Sequence, residues 1–189
     1  MIRIGILGNI GSGKSYVAKN FGYPVFNADY EVTKLYKKDK KIFKKLKKKL
    51  PKYISSFPIN KNEITKAILS NKVNLKKIIS IVHLEIRKLL KLFLIKNRNK
   101  EIIILDIPLL LENKINNNND ILVFVDSKKN EIEKRLKKRL NYNRKLINKF
   151  KKIQFSSSYK KRKSNFIIKN NFKKKSINKS IKKILNEIL

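Results

Sequence analysis

The chain has 189 residues, 41% of them hydrophobic, enough to bury one core with a smaller subdomain attached. Its 49 Lys and Arg against 13 Asp and Glu give a net charge of +36, a balance that on its face suits a polyanionic partner. There is no cysteine and one histidine, which excludes disulfides, thiolate metal sites and His-built metal centres, so any metal must be held by oxygen. The charge is better explained by composition than by a partner. Seven of the basic residues are arginine and the rest lysine, beside abundant Ile and Asn, and these are the residues of A/T-rich codons. An A/T-biased genome yields them without selection for nucleic acid or a membrane surface. The N-terminus carries a single Arg and a very short apolar run, too little for a signal peptide, and Asp106 interrupts the longest apolar stretch, "IIILDIPLLL", well short of the roughly 18 residues a span needs. A cytoplasmic protein is the expectation.

In chain order, "IRIGIL" (2–7) is apolar at successive rather than alternate positions, which predicts a strand buried on both faces. The octet "GNIGSGKS" follows, and then helix-compatible "KSYVAKNF". "YPVFNAD" (23–29) is a weaker strand. Residues 30–50 have helical spacing, residues 51–97 carry two helical patterns with no strand between them, and the clearer of these covers 74–96. "EIIILDI" (101–107) and "DILVFVD" (120–126) predict two more strands, separated by a low-complexity asparagine run. Residues 128–140 predict a helix with Ser127 as N-cap and Glu131 in its first turn. Residues 139–164 are poor in apolar side chains and predict a flap or a solvated loop, and "NFIIKN" (165–170) is a fifth strand. Strands alternating with helices imply an α/β fold with a doubly wound, five-stranded parallel sheet. The composition shifts set the organisation: a core from 1–50, 98–138 and 165–189, a helical insertion at 51–97 and a lid at 139–164.

Gly8, Gly13, Lys14 and Ser15 fit G-x-x-x-x-G-K-[ST], with a strand before and a helix after, the context that confirms a phosphate-binding P-loop (Walker A). Successive N–H groups must curl round a phosphate, which requires glycine wherever a Cβ would obstruct the approach. Three of the five glycines fall inside this octet. Lys14 then supplies a point charge to the outer phosphates and Ser15 a hydroxyl for Mg²⁺. The motif alone does not separate a kinase from a GTPase or an ATP-driven motor. Two carboxylates sit where ligands bind in open α/β sheets, beyond the carboxyl ends of strands. Asp29 is either a catalytic group or a helix cap, and Asp106 either a Walker-B-like support for Mg²⁺ or a plain strand terminus.

Taken together and in this order, "GNIGSGKSYVAKNF…YPVFNAD", "VHLEIRK", "LDIPLLLEN", "EKRLKKR", "KKIQ" and "SNFIIKNN" resemble the dephospho-CoA kinase family from Met1 to about Asn171. The resemblance implies a P-loop kinase fold with a helical acceptor domain and a lid. It also implies transfer of the ATP γ-phosphate to the 3′-hydroxyl of dephospho-CoA, an alcohol-accepting phosphotransfer that completes coenzyme A synthesis. By the resemblance, Asn9, Ile10, Gly11, Ser12, Gly13, Lys14, Ser15 and Tyr16 bind ATP, with Arg139 and Asn170, and Ser15 carries the Mg²⁺. Asp29 takes the proton of the acceptor hydroxyl, and Lys14 and Arg139 complete the catalytic set. His83 and Arg87 match the family's "HPxxR"-like stretch, and Pro108, Leu109, Leu110 and Glu112 match its "PLLxE", which lines the acceptor cleft. Arg135 and Arg139 match "RLxxR" at the entrance to the lid, and Gln154 a position near the lid's end. Asn9, Leu84 and Leu140 depart from the family pattern, which usually has a second glycine, a proline and an acid at those places.

Plainer readings stand beside these. His83 on an apolar helix can be a packing residue, and Arg135 and Arg139, four apart, can share a solvated helix face. Other P-loop kinases, of the nucleoside monophosphate or shikimate type, are the alternative within the class, and a basic nucleic-acid-binding P-loop protein is the alternative outside it. Against the last, the lysines are spread throughout and the aromatic residues form no basic platform for bases. A monomer with ATP and dephospho-CoA as partners, and with neither specific nucleic acid nor membrane, is the expectation.

Overall fold

The structure is a computed structural model and describes every residue except Asn141. Five strands, β1 (Ile2–Gly8), β2 (Val25–Asn27), β3 (Ile102–Asp106), β4 (Ile121–Asp126) and β5 (Phe166–Lys169), form one sheet in the order β2-β3-β1-β4-β5. Every pairing is parallel, with Ile4 opposite Ile104 on one side and Ile121 on the other. β1 is central, and the chain crosses it between β3 and β4, which puts the end of β1 at the point where strand order reverses, where such sheets bind ligands. The α/β class read from the apolar runs therefore holds, and the physical reason is visible: Ile102 to Leu105 and Val123 to Val125 are buried at consecutive positions.

The described residues form two compact units. The first comprises 1–27, 97–143 and 151–189 and contains the sheet. α1 (Lys14–Asn20) and α9 (Lys174–Ile188) pack Val17, Ala18 and Phe21 and Ile177, Ile181 and Ile184 against Ile4, Ile6, Ile104 and Val123. The α9 residues recur at i, i+4 and i+7, the stripe that a sheet-packing helix needs. α6 (Lys129–Lys137) and α8 (Ser157–Arg162) belong to the same unit. Arg3 pairs with buried Asp120 through Nε at 2.9 Å and Nη2 at 3.1 Å, joining the start of β1 to the residue before β4.

The second unit comprises 28–96 and 144–150. It holds α2 (Ala28–Lys38), α3 (Lys40–Lys49), α4 (Lys61–Ser70), α5 (Lys72–Lys96) and most of α7 (Arg144–Lys151). Leu75, Ile78, Val82, Ile86 and Leu90 make the buried stripe of α5, against which α2, α3 and α4 pack. Lys149 of α7 donates to the carbonyls of Ile68 (2.7 Å) and Leu69 (2.8 Å), satisfying two of the four terminal acceptors of α4.

Three local readings are corrected. The single helix expected over 30–50 is two, because Asp39 leaves the helix and accepts from the Lys41 and Ile42 amides at 2.8 and 3.0 Å as the N-cap of α3. Lys128, not Ser127, occupies the N-cap of α6 and makes no side-chain capping bond, while the Ser127 hydroxyl points to the carbonyl of Ser12, to which it donates at 2.9 Å. α6 ends at Lys137, so Arg135 lies in its last turn and Arg139 beyond it, and the two do not share a helix face. The 139–164 stretch contains two helices, α7 and α8.

Candidate active site

The loop from Gly8 to Ser15 links the end of β1 to the first turn of α1. Gly13 opens the helix at φ 88°, in the left-handed region, and a Cβ there would stand 2.5 Å from Asn170 Nδ2. Gly8 has φ 148°, and a Cβ on it would meet Ser12 Oγ at 2.7 Å and the Val125 carbonyl at 2.8 Å. These are spaces that only glycine leaves open, so the chain can bring its amides round a small anion. The loop is held from outside. The Ser12 carbonyl accepts from Ser127 Oγ at 2.9 Å and from Asn170 Nδ2 at 2.8 Å, while Asn170 Oδ1 accepts from the Phe172 amide at 2.7 Å. Ser12 is 1% exposed, and its own hydroxyl oxygen has no hydrogen-bond partner among the described residues. Lys14 Nζ donates to the carbonyls of Gly8 (3.1 Å) and Asn9 (2.9 Å), which draws the ammonium over the loop. Ser15 and Tyr16 are exposed in the first turn of α1, and Ile10 and Gly11 are half-buried in the loop.

Around the loop stand the ends of the neighbouring strands. Asp106 closes β3, is buried, and accepts from Asn27 Nδ2 across the β2–β3 register at 2.5 Å. Pro108, Leu109, Leu110 and Glu112 form the turn that follows, and they line a cleft together with Gly8, Lys14, Gln154 and Lys160. Leu109 sits at φ 60°, a strained backbone for a leucine. Its carbonyl accepts from both Asn113 N and Asn113 Nδ2 at 3.0 Å. Glu112 Oε1 accepts from the Phe155 amide at 2.8 Å and pairs with Lys160 Nζ at 3.1 Å. Asn9, the departure from the family pattern, uses its side chain: Oδ1 accepts from Ser157 Oγ at 2.9 Å. Arg135 lays its guanidinium 4.2 Å from the Phe172 ring centroid, and Arg139 is exposed.

The phosphate loop, Asp106, the 108–112 turn, Gln154, Arg135, Arg139 and Asn170 thus belong to the first unit. Asp29, His83 and Arg87 belong to the second. Asp29 is exposed in the first turn of α2 rather than in a strand, since β2 ends at Asn27. His83 and Arg87 lie one turn apart on α5, and burial, followed by the nearby guanidinium, pushes the imidazole below its usual range, so it is neutral at pH 7. Exposed Leu84 follows His83 on the same helix, and exposed Leu140 lies beyond α6.

Sequence reasoning missed Ser127, Asn27, Ser157 and Lys160. Ser127 was legible as a helix-initiating serine, and nothing local says that its hydroxyl reaches a loop 115 residues away. Lys160 is 2% exposed, yet in sequence it is one lysine in the run "YKKRK".

A P-loop on the central strand of a parallel β2-β3-β1-β4-β5 sheet, with a lysine drawn over it and a carboxylate closing the neighbouring strand β3, defines a P-loop nucleotide-binding protein. A family model described as dephospho-CoA kinase matches residues 2–176, and the chain belongs to that family. The dephospho-CoA kinase of Wolbachia pipientis wMel is 33% identical over 190 residues, covering 98% of this chain and 97% of its own. That of Wolbachia sp. subsp. Brugia malayi (strain TRS) is 31% identical with the same coverage. A crystal structure from Thermus thermophilus superposes with a TM-score of 0.78 at 26% identity, covering all of this chain and 98% of that one. The chain is accordingly an ATP-dependent kinase of dephospho-CoA, acting in coenzyme A biosynthesis.

Proposed function

We propose that the chain transfers the γ-phosphate of ATP to the 3′-hydroxyl of dephospho-CoA, giving coenzyme A and ADP. The observation that carries the mechanism is the Gly8–Ser15 loop, with its positive-φ glycines, its carbonyl clamped by Ser127 and Asn170, and Lys14 lying over it. Amides from Asn9 to Tyr16 bind the β- and γ-phosphates. Lys14 exchanges its two neutral carbonyl acceptors for anionic phosphate oxygens, an ion pair that outweighs the contacts it gives up. Arg139 follows the negative charge as the phosphoryl group moves, and Asn170 keeps the loop in shape from behind.

The donors fit Mg²⁺. Ser15 offers a hydroxyl and Asp106 a carboxylate, hard oxygen ligands of the kind Mg²⁺ takes alongside a nucleotide's phosphates. Held by these residues, Mg²⁺ would supply positive charge against the phosphates during transfer.

On the acceptor side, Asp29 orients the 3′-hydroxyl and accepts its proton as the bond to phosphorus forms. His83 and Arg87 hold the acceptor's polar groups, with the arginine suited to phosphate by its planar fork. Pro108, Leu109, Leu110 and Glu112 form the wall of the acceptor cleft, residues 51–97 serve as the acceptor subdomain and 139–164 as the lid, which α8 anchors at its C-terminal end. No helix among the described residues is long and apolar enough to cross a membrane. We place the enzyme in the cytoplasm, as a monomer whose partners are its two substrates, with no specific nucleic acid.

The position of transfer is tested by ³¹P and ¹H NMR of the product formed from dephospho-CoA and ATP with Mg²⁺. The expected product is coenzyme A phosphorylated at the ribose 3′-oxygen, and a 2′-phosphate would overturn the assignment.

A further inference from the structure

α8 makes an unusual set of contacts for a helix of six residues. Ser157 Oγ donates to Asn9 Oδ1 at 2.9 Å, directly after β1. Lys160 Nζ meets Glu112 Oε1 at 3.1 Å in the turn after β3, and the same oxygen takes the Phe155 amide at 2.8 Å, just before the helix. Lys161 Nζ donates to Asp126 Oδ2 at 2.6 Å at the end of β4. One short helix is therefore bonded to the ends of three different strands, all within the first unit. The helix is itself fixed. Ser156 Oγ caps it by accepting from the Tyr159 amide at 3.2 Å, Ser164 Oγ donates to the Lys160 carbonyl at 2.7 Å, and the Phe155 and Tyr159 rings lie 4.8 Å apart.

The Lys160–Glu112 pair is the buried member of the set, with side chains 3% and 8% exposed, and Lys160 is the buried lysine among the described residues. Stability does not account for it. A buried ion pair is often matched or bettered by apolar residues of similar volume, because both charges must be stripped of water. What an ion pair supplies that apolar packing does not is direction, and here the direction runs to the 108–112 turn, whose Leu109 is held in a strained conformation beside Lys14.

We propose that α8 is a brace and that Lys160 is a positioning residue for phosphoryl transfer: acting through Glu112, it sets the 108–112 turn against the phosphate loop. The role in transfer rests on the kinase reading above. A displacement of about 1 Å at such a turn is enough to cost on the order of a hundredfold in rate without any change at the nucleotide.

The test compares Lys160→Met, Glu112→Leu, the double variant and Lys160→Arg in the full chain. Each is measured for kcat and KM with dephospho-CoA, for the dissociation constant of MgATP without acceptor, and for hydrogen exchange over 152–163. The double variant removes both charges, so it stays folded where a single variant fails. It is expected to lose at least about tenfold in kcat/KM for dephospho-CoA and to keep its MgATP affinity within about threefold. It also loses protection at the Phe155 amide. Folded single variants lose about as much as the double, and Lys160→Arg recovers most of the rate. A double variant with wild-type kinetics and protection would overturn the brace. So would a Lys160→Met loss far above that of Glu112→Leu, because the lysine would then meet substrate itself. If the wild-type chain makes no coenzyme A, the functional reading fails, while the exchange data still decide whether Lys160 holds α8 and the turn together.

Discussion

Lys14, Asp29 and His83 carry three different kinds of chemistry. Lys14 binds its own loop at 3.1 and 2.9 Å, so Lys14→Ala removes both those bonds and the positive charge over the loop. Phosphoryl transfer is mostly positioning and electrostatic stabilisation, and the expected result is a turnover lower by orders of magnitude in a protein with an unchanged circular dichroism spectrum. Asp29→Asn keeps size and much hydrogen bonding but loses basicity. kcat should fall by about 10²–10⁴ with little change in ATP affinity, and a loss under about threefold would leave Asp29 as a residue of the first turn of α2 only. His83 bears on stability. Its folded-state affinity for a proton is lowered, chiefly by burial and then by Arg87, so below about pH 6.5 the unfolded chain takes up a proton that the folded one resists. Stability is complete at neutral pH and is lost as pH falls through that window. Urea midpoints at pH 7.5 and 5.5 should drop in the wild type, and the drop should shrink in His83→Gln. The phosphate-loop residues were legible because glycine spacing is dictated by backbone geometry. Lys160 was not, because burial of one lysine among many is decided by distant residues such as Glu112.

At the scale of elements, strands were the legible part. A strand covered on both faces must be apolar at consecutive positions, and β1, β3 and β4 are, so their limits came within a residue or so of the apolar runs. Helix boundaries were less so. The lysine-rich pattern over 30–50 continues smoothly through Asp39, and only the capping bonds to the Lys41 and Ile42 amides reveal a break. Ser127 shows the opposite error, a good capping residue drawn away by a tertiary acceptor. Asp39→Ala tests the break. It should cost about 0.5–2 kcal/mol, the range for losing an N-cap, and lower the urea midpoint with the slope unchanged. Equal stability of the two proteins would mean that α2 and α3 run on as one helix without the cap.

For the whole molecule, the net charge of +36 is the conspicuous property, and composition rather than catalysis explains it. Lys44, Lys47 and Lys48 are exposed on α3, while the neighbouring Lys45 carries the bond to Glu85. Changing the three to Gln should leave kcat within about twofold and reduce only loose, salt-sensitive binding to polyanions. A steep affinity for duplex DNA at physiological ionic strength, lost in this variant, would instead give the charge a function. The chain leaves the first unit at residue 27 with no change of composition, and α7 joins the second through bonds such as those of Lys149. The most direct test of the central claim is kcat/KM for purified protein with ATP and Mg²⁺ across a panel of acceptors: dephospho-CoA, AMP, adenosine and shikimate. Coenzyme A formation from dephospho-CoA, at a kcat/KM at least about a hundredfold above that for any other acceptor, is the predicted result. A comparable or higher value for any of the others would contradict it.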